Sequence, residues 1–211
     1  MTRGTNRDQR KPGTFFSTGG YGKIGMEGFR EPDENGTAGR GRYELLEIIS
    51  YRFSVSAEWG YAYYAGTVPL GGTSCQVSTS STVRITGESL VWYSQFRIMT
   101  DIVPGISRRV KDNMTEREVY RIIFWQPGLY QVAAETERGR ASLNVEERKG
   151  MYLFGEPGMP VAAITERIQE AEYIPPSRYS LEPVFRTTFF DGDTSEGFRM
   201  MILSFPALKM I

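Results

Sequence analysis

The sequence predicts a mainly β protein, a closed antiparallel β-barrel enclosing a hydrophobic C-terminal α-helix. Three observations carry that prediction. From Tyr43 onward apolar residues recur with a period of two. Pairs of turn-forming residues break these runs at roughly 8–12-residue spacing, the rhythm of antiparallel sheets. One late segment, Phe198 to Phe205, is apolar on nearly every face and has to be enclosed.

Residues 1–42 stand apart. Ten of these 42 residues are glycine and the apolar ones show no period. Such a segment cannot bury enough surface to offset its backbone entropy, so it reads as a flexible Gly-rich arm before a single barrel domain over 43–211. In that domain Phe53, Val55, Ala57 and Trp59 alternate with Ser54, Ser56 and Glu58, which assigns the first set to a core. Further strand runs follow at Val83–Ile85, Leu90–Met99, Val119–Trp125, Leu129–Glu135, Ser142–Glu146, Met151–Phe154, Val161–Thr165 and Tyr179–Phe185. Gly71-Gly72, Pro104-Gly105, Asp112-Asn113, Pro127-Gly128, Arg138-Gly139, Pro157-Gly158 and Asp191-Gly192 supply turn chemistry between them. Trp59, Trp92 and Trp125 lie inside strand runs and are expected in the core. Asp193-Thr194-Ser195-Glu196 resembles a capping box with Asp193 as the cap, which starts a central helix at about 194–205 and lets Pro206 end it. A pair of fully buried strands is the alternative for this stretch.

Composition excludes much chemistry. There is no histidine, which removes Ser-His-Asp and Cys-His catalysis and every His-ligated metal site. Cys75 is the single cysteine, so no internal disulfide or multi-Cys zinc site can form. Without histidine, and with no Lys or Arg near it in sequence, its thiol has no base to activate it. Lys plus Arg and Asp plus Glu balance at 25 each, so no chain-wide field draws nucleic acid. Gly20-Tyr21-Gly22-Lys23-Ile24-Gly25 fits G-x-G-x-x-G, but glycines and a proline follow where a phosphate-binding helix should begin. No apolar leader follows Met1 and no run approaches the ~20 residues of a membrane-spanning helix, so a cytoplasmic location is expected.

A β-barrel threaded by an apolar helix is also the architecture of a known superfamily, and the second half of this chain resembles it. Ser107-Arg108-Arg109-Val110-Lys111-Asp112-Asn113, leading into Glu118-Val119-Tyr120-Arg121-Ile122, is similar to a strand–turn–strand motif of the tubby C-terminal-like group. That group includes LURP-one-related and phospholipid scramblase-like proteins. Tyr152 to Ile164 resembles a second copy, with Glu156 where the motif carries Asp. Gly197 to Pro206 is similar to the core helix. The resemblance implies a barrel around that helix and contact with phosphoinositides or membrane surfaces.

Arg108, Arg109 and Lys111 form the one dense basic cluster of the folded half and are the candidate anion- or lipid-binding residues. Arg84 and Arg97 join them only if the sheet pairs them. A charged strand edge that resists edge-to-edge pairing is the competing explanation. Asp101, Asp112, Asp191, Asp193 and the Glu146-Glu147 pair could serve a carboxylate-dependent hydrolase, but most fall in expected turns. The sequence therefore predicts no catalytic residues, no metal and no cofactor. The expected function is a non-enzymatic binding or scaffold module, touching an anionic lipid headgroup or a protein partner. A calycin-like barrel carrying a small apolar ligand and a carboxylate-dependent hydrolase are the alternatives.

Overall fold

The alternating runs become twelve antiparallel strands. They are β1 (Leu46–Val55), β2 (Glu58–Ala65), β3 (Val68–Gln76), β4 (Thr82–Thr86), β5 (Val91–Thr100) and β6 (Ile106–Asp112), then β7 (Glu118–Gln126), β8 (Leu129–Thr136), β9 (Gly139–Arg148), β10 (Met151–Gly155), β11 (Val161–Arg167) and β12 (Glu182–Phe189). A single helix, α1 (Glu196–Met210), follows them. The computed structural model describes residues 45–76, 82–100, 106–112, 117–156, 159–175, 180–192 and 194–210, with the side chains of 82, 93–100, 106–108 and 110–112 left aside. The glycine-rich arm over 1–42 lies outside the described residues, as do Asp101, Pro104-Gly105, Asn113, Pro157-Gly158 and Asp193.

Each strand pairs with its neighbour in the chain, and β1 pairs with β12 to close the barrel. Tight connections make this meander possible. Lys149 and Gly150 join β9 to β10 with φ of 48° and 83°, the paired positive values of a hairpin turn that matches strand twist. Pro127-Gly128 joins β7 to β8 with Gly128 at φ 84°.

One strand assignment and one turn assignment from sequence change. Phe53 to Trp59 is not one strand: β1 ends at Val55, Ser56 adopts φ 54°, and β2 begins at Glu58. The hairpin shifts the parity, so Trp59 shares the lumen row with Cys75, while Phe53 and Val55 lie on the outward row. Gly71-Gly72 is no turn either but the middle of β3. Gly71 holds φ 131°, and a Cβ there would overlap the carbonyl oxygen of Thr86 on β4. The glycine serves close strand approach at a bulge, where the β2–β3 register shifts at Tyr63/Tyr64.

The core lies inside the barrel. A ring of eight strands is about filled by its own side chains, whereas twelve leave a wider lumen. The helix occupies it. Met200 to Leu208 are all buried, and Tyr61, Tyr63, Val83, Ile85, Tyr120, Val132, Val145 and Phe154 surround them from the strands. Phe205 sits edge-on to Tyr130, Tyr152 and Phe154, with centroids 5.5, 5.1 and 5.5 Å away. Small polar residues on the lumen face bond to one another, as Thr165 does with Thr187 at 2.8 Å.

The helix runs past its expected end, with Pro206 inside it rather than closing it. A proline within a helix removes one backbone bond and crowds the preceding turn, costing ~3 kcal/mol in an isolated helix. Here the barrel supplies bonds to that turn. The Tyr63 hydroxyl donates to the Leu203 carbonyl at 3.0 Å, and Tyr120 donates to the Met201 carbonyl at 3.0 Å.

Both ends of the helix are tied to the barrel. The start differs from the expected capping box: Glu196 is the first helical residue, and its carboxylate reaches the β4–β5 connection. It accepts from the Ser89 amide at 2.9 Å, the Leu90 amide at 3.0 Å and the Ser89 hydroxyl. Glu137, from the β8–β9 turn, accepts from the Gly197 amide at 2.9 Å, and the Ser195 hydroxyl accepts from the Phe198 amide at 3.4 Å. Two carboxylates thus meet the positive end of the helix dipole. Burial pushes both carboxyls up, but the hydrogen bonds outweigh it and leave Glu137 and Glu196 below the usual range. At the other end Lys209 pairs with Glu147 at 2.6 Å, between the rings of Tyr130 and Tyr152.

Candidate functional site

Of the expected basic cluster, the side chains of Arg108 and Lys111 lie outside the described residues. On β6, Arg108 is opposite Ile98 and Ile122 in register. The expected cluster is represented among the described side chains by Arg109.

In exchange the sheet assembles a different basic face. Arg109 is directly opposite Arg97 on β5 and Arg121 on β7. Arg109 and Arg121 therefore stand side by side on neighbouring strands, an arrangement that is unfavourable unless anions relieve it. Arg84 does not join them; it pairs with Ser74 and Tyr93, two rows away along β5.

One carboxylate serves this face at its centre. The β6–β7 register passes from Val110 opposite Tyr120 to Lys111 opposite Glu118, leaving Val119 as the extra residue of a bulge. The bulge turns Glu118 outward, a role bulges often play. Glu118 then meets Arg121 through paired contacts of 2.8 and 2.7 Å, Arg140 from β9 at 2.7 Å and the Arg109 Nε at 3.5 Å. Arg117 is held separately by Glu135 at 3.2 Å. Arg109, Arg117, Arg121 and Arg140 thus share the face with these two carboxylates.

Farther along β7 the outward row continues to Ile123, between the inward Ile122 and Phe124. Trp125 is half-buried and outside the core cluster, which corrects its expected place in the core; Trp92 is in the core and Trp59 packs against it. A bulge explains the difference, since the β7–β8 register passes from Phe124 opposite Tyr130 to Gln126 opposite Leu129 and leaves Trp125 without a partner. The face thus adds an aliphatic side chain, Ile123, to its guanidinium groups. Sequence reasoning missed Arg121, Arg140 and Glu118. The first could have been found by following alternate positions from Tyr120, a core-type residue, but the bulge that turns Glu118 has no clear signature.

The remaining reactive groups are committed elsewhere. Cys75 is buried in β3, and desolvation, followed by the charge of Glu58, pushes its thiol up to about 12. Glu146 is bound by Arg148 at 2.5 Å, and Glu147 by Lys209 and the Tyr130 hydroxyl. Among the described residues no three His, Cys, Asp or Glu side chains converge to hold a metal ion. No described helix is long and apolar enough to cross a membrane. No family model, curated protein or solved structure matches this chain.

Proposed function

We propose that this barrel is a non-enzymatic, cytoplasmic binding module of tubby-like type whose outer β5–β9 face docks on an anionic lipid surface. The single observation that carries the reading is the cross-strand arginine pair, Arg109 and Arg121, with Glu118 as the carboxylate shared by Arg109, Arg121 and Arg140. Like charges held side by side favour a multivalent anionic partner, and a leaflet rich in acidic lipid provides one. Trp125, half-buried at a bulge farther along β7, has the amphipathic ring found at membrane interfaces. The closed barrel around an apolar helix is the architecture that the tubby-like resemblance implies. A calycin-like carrier is disfavoured because the helix fills the space a ligand would need. A carboxylate-dependent hydrolase is disfavoured because Glu146 and Glu147 are held in ion pairs.

Vesicle co-sedimentation tests this, with phosphatidylserine-containing vesicles compared with phosphatidylcholine alone. At ~1 kcal/mol per basic residue near such a surface, the double variant Arg109→Gln/Arg121→Gln should lose roughly thirtyfold in affinity, and added salt should weaken the wild type. Glu118→Gln removes the shared carboxylate and should strengthen binding. Equal binding to neutral vesicles, or indifference to salt and to all three substitutions, would reject the proposal.

A further inference from the structure

A second charged region lies on the other side of the barrel, where β1 and β12 separate. Their register runs from Ser50 opposite Phe185 to Tyr51 opposite Pro183, so Val184 has no partner on β1. Pro183 has no amide hydrogen to offer the ladder. The Val184 carbonyl instead accepts from the Ile168 amide at 2.9 Å, in the segment after β11. This bulge leaves a groove of about 610 Å³, lined by Arg52, Arg167, Gln169, Glu182, Pro183 and Val184. That volume lies within the range of small-molecule sites, and bulges recur beside such sites.

Two arginines meet at this groove. Arg52 is opposite Tyr61 and Arg167 is opposite Phe185, so both end lumen-facing rows at the barrel mouth, beside the last helical turn. The Tyr61 hydroxyl, 3.6 Å from the Met210 sulfur, marks that mouth. Burial raises the Tyr61 phenol, and the charges of Arg52 and Arg167, which line the same groove, both oppose it. Arg186, on the same strand β12, is held by Glu47 and Glu166. Among the described residues neither Arg52 nor Arg167 has such an ion pair.

We propose that this groove binds a small organic anion with a single carboxylate or phosphate-monoester head, the head lying between Arg52 and Arg167 and the apolar body against Pro183 and Val184. Two guanidinium forks suit a planar or tetrahedral oxyanion. Glu182, on the rim and opposite Arg52 in register, disfavours a second anionic group, so singly headed anions are selected over polyanions. The site is independent of the β5–β9 face and can fail or succeed without it.

The test is a titration of the full chain by NMR, following the arginine Nε–H signals and the Val184 amide, with hexyl phosphate, hexanoate and hexanol as probes. Hexyl phosphate and hexanoate should saturate these signals while hexanol does not. Arg52→Gln and Arg167→Gln should each weaken binding at least about tenfold, as expected for loss of a charge-assisted hydrogen bond. Both residues are exposed, so the folded spectrum should persist. Glu182→Gln should tighten binding, and Arg109→Gln should leave it unchanged. Displacement of hexyl phosphate by phosphatidic acid vesicles would assign the head group to a lipid; failure to displace it would assign a freely diffusing anion. Equal binding of hexanol, absence of saturation, or titrations indifferent to both arginine substitutions would overturn the site. Loss on Arg109→Gln alone would also overturn it, because binding would then belong to the β5–β9 face.

Discussion

Replacing Phe205 by alanine is the most direct test of whether the helix is the core of the barrel. The side chain is fully buried and meets three rings edge-on, from β8 and β10, at 5.1 to 5.5 Å. Removing a buried phenylalanine costs about 3–5 kcal/mol through lost transfer energy and the cavity left behind. Edge-to-face pairs add ~0.5–1.5 kcal/mol each beyond buried area, which places this site near the top of that range, at about 5 kcal/mol. For a chain of this size each kcal/mol lowers Tm by roughly 2–4 °C, so a fall of about 10–20 °C is expected. Urea unfolding should show the same loss as a shifted midpoint with an unchanged slope. Phe198→Ala, at the half-buried first turn, serves as the comparison and should cost about 1–2 kcal/mol. A Phe205→Ala loss below about 2 kcal/mol, or one no larger than that of Phe198→Ala, would refute the argument that the strands are assembled around this helix.

Two further outcomes follow from the ties at the helix ends and from the buried thiol. Glu137, Glu147 and Glu196 all have carboxyls held below their ordinary value: burial raises each, and hydrogen bonds, with Lys209 foremost for Glu147, more than reverse it. A carboxyl lowered by folding stabilises the folded state above its unfolded value, 4.5, and that contribution is lost as pH falls through the lower folded value. Urea midpoints should therefore drop on acidification below about pH 4.5, and Glu137→Gln/Glu196→Gln should flatten that dependence. Cys75, with its thiol pushed up to about 12, should react with a disulfide reagent at pH 8 only on unfolding, since on the order of one thiol in ten thousand is ionised there. Rapid labelling of the native protein would contradict its burial.

The architecture was legible because its signals are local. Period-two runs such as Val119–Trp125 and Leu129–Glu135 fall within one or two residues of β7 and β8, and the all-apolar stretch from Phe198 could only be enclosed. What was misread depends on partners distant in sequence. Pro206 looks like a helix end until Tyr63 and Tyr120 are seen bonding to the turn before it. Gly71-Gly72 looks like a turn until Thr86 is seen against it. Of the basic face, Arg109 was named from sequence, whereas Arg121 and Arg140 arrive by strand pairing and a bulge that leave no local trace.

The order of the chain has a consequence for how the protein is made. The strands emerge from the ribosome as successive hairpins, each pairing with the one before, while the segment that fills their common interior follows β12 and appears last. Until residues 196–210 clear the exit tunnel, the nascent meander carries a greasy inner surface with nothing against it and two unpaired edges, β1 and the newest strand. Completion of the interior is then a late step, because α1 follows β12 in the chain. Its timing sets how long the half-made chain depends on chaperones.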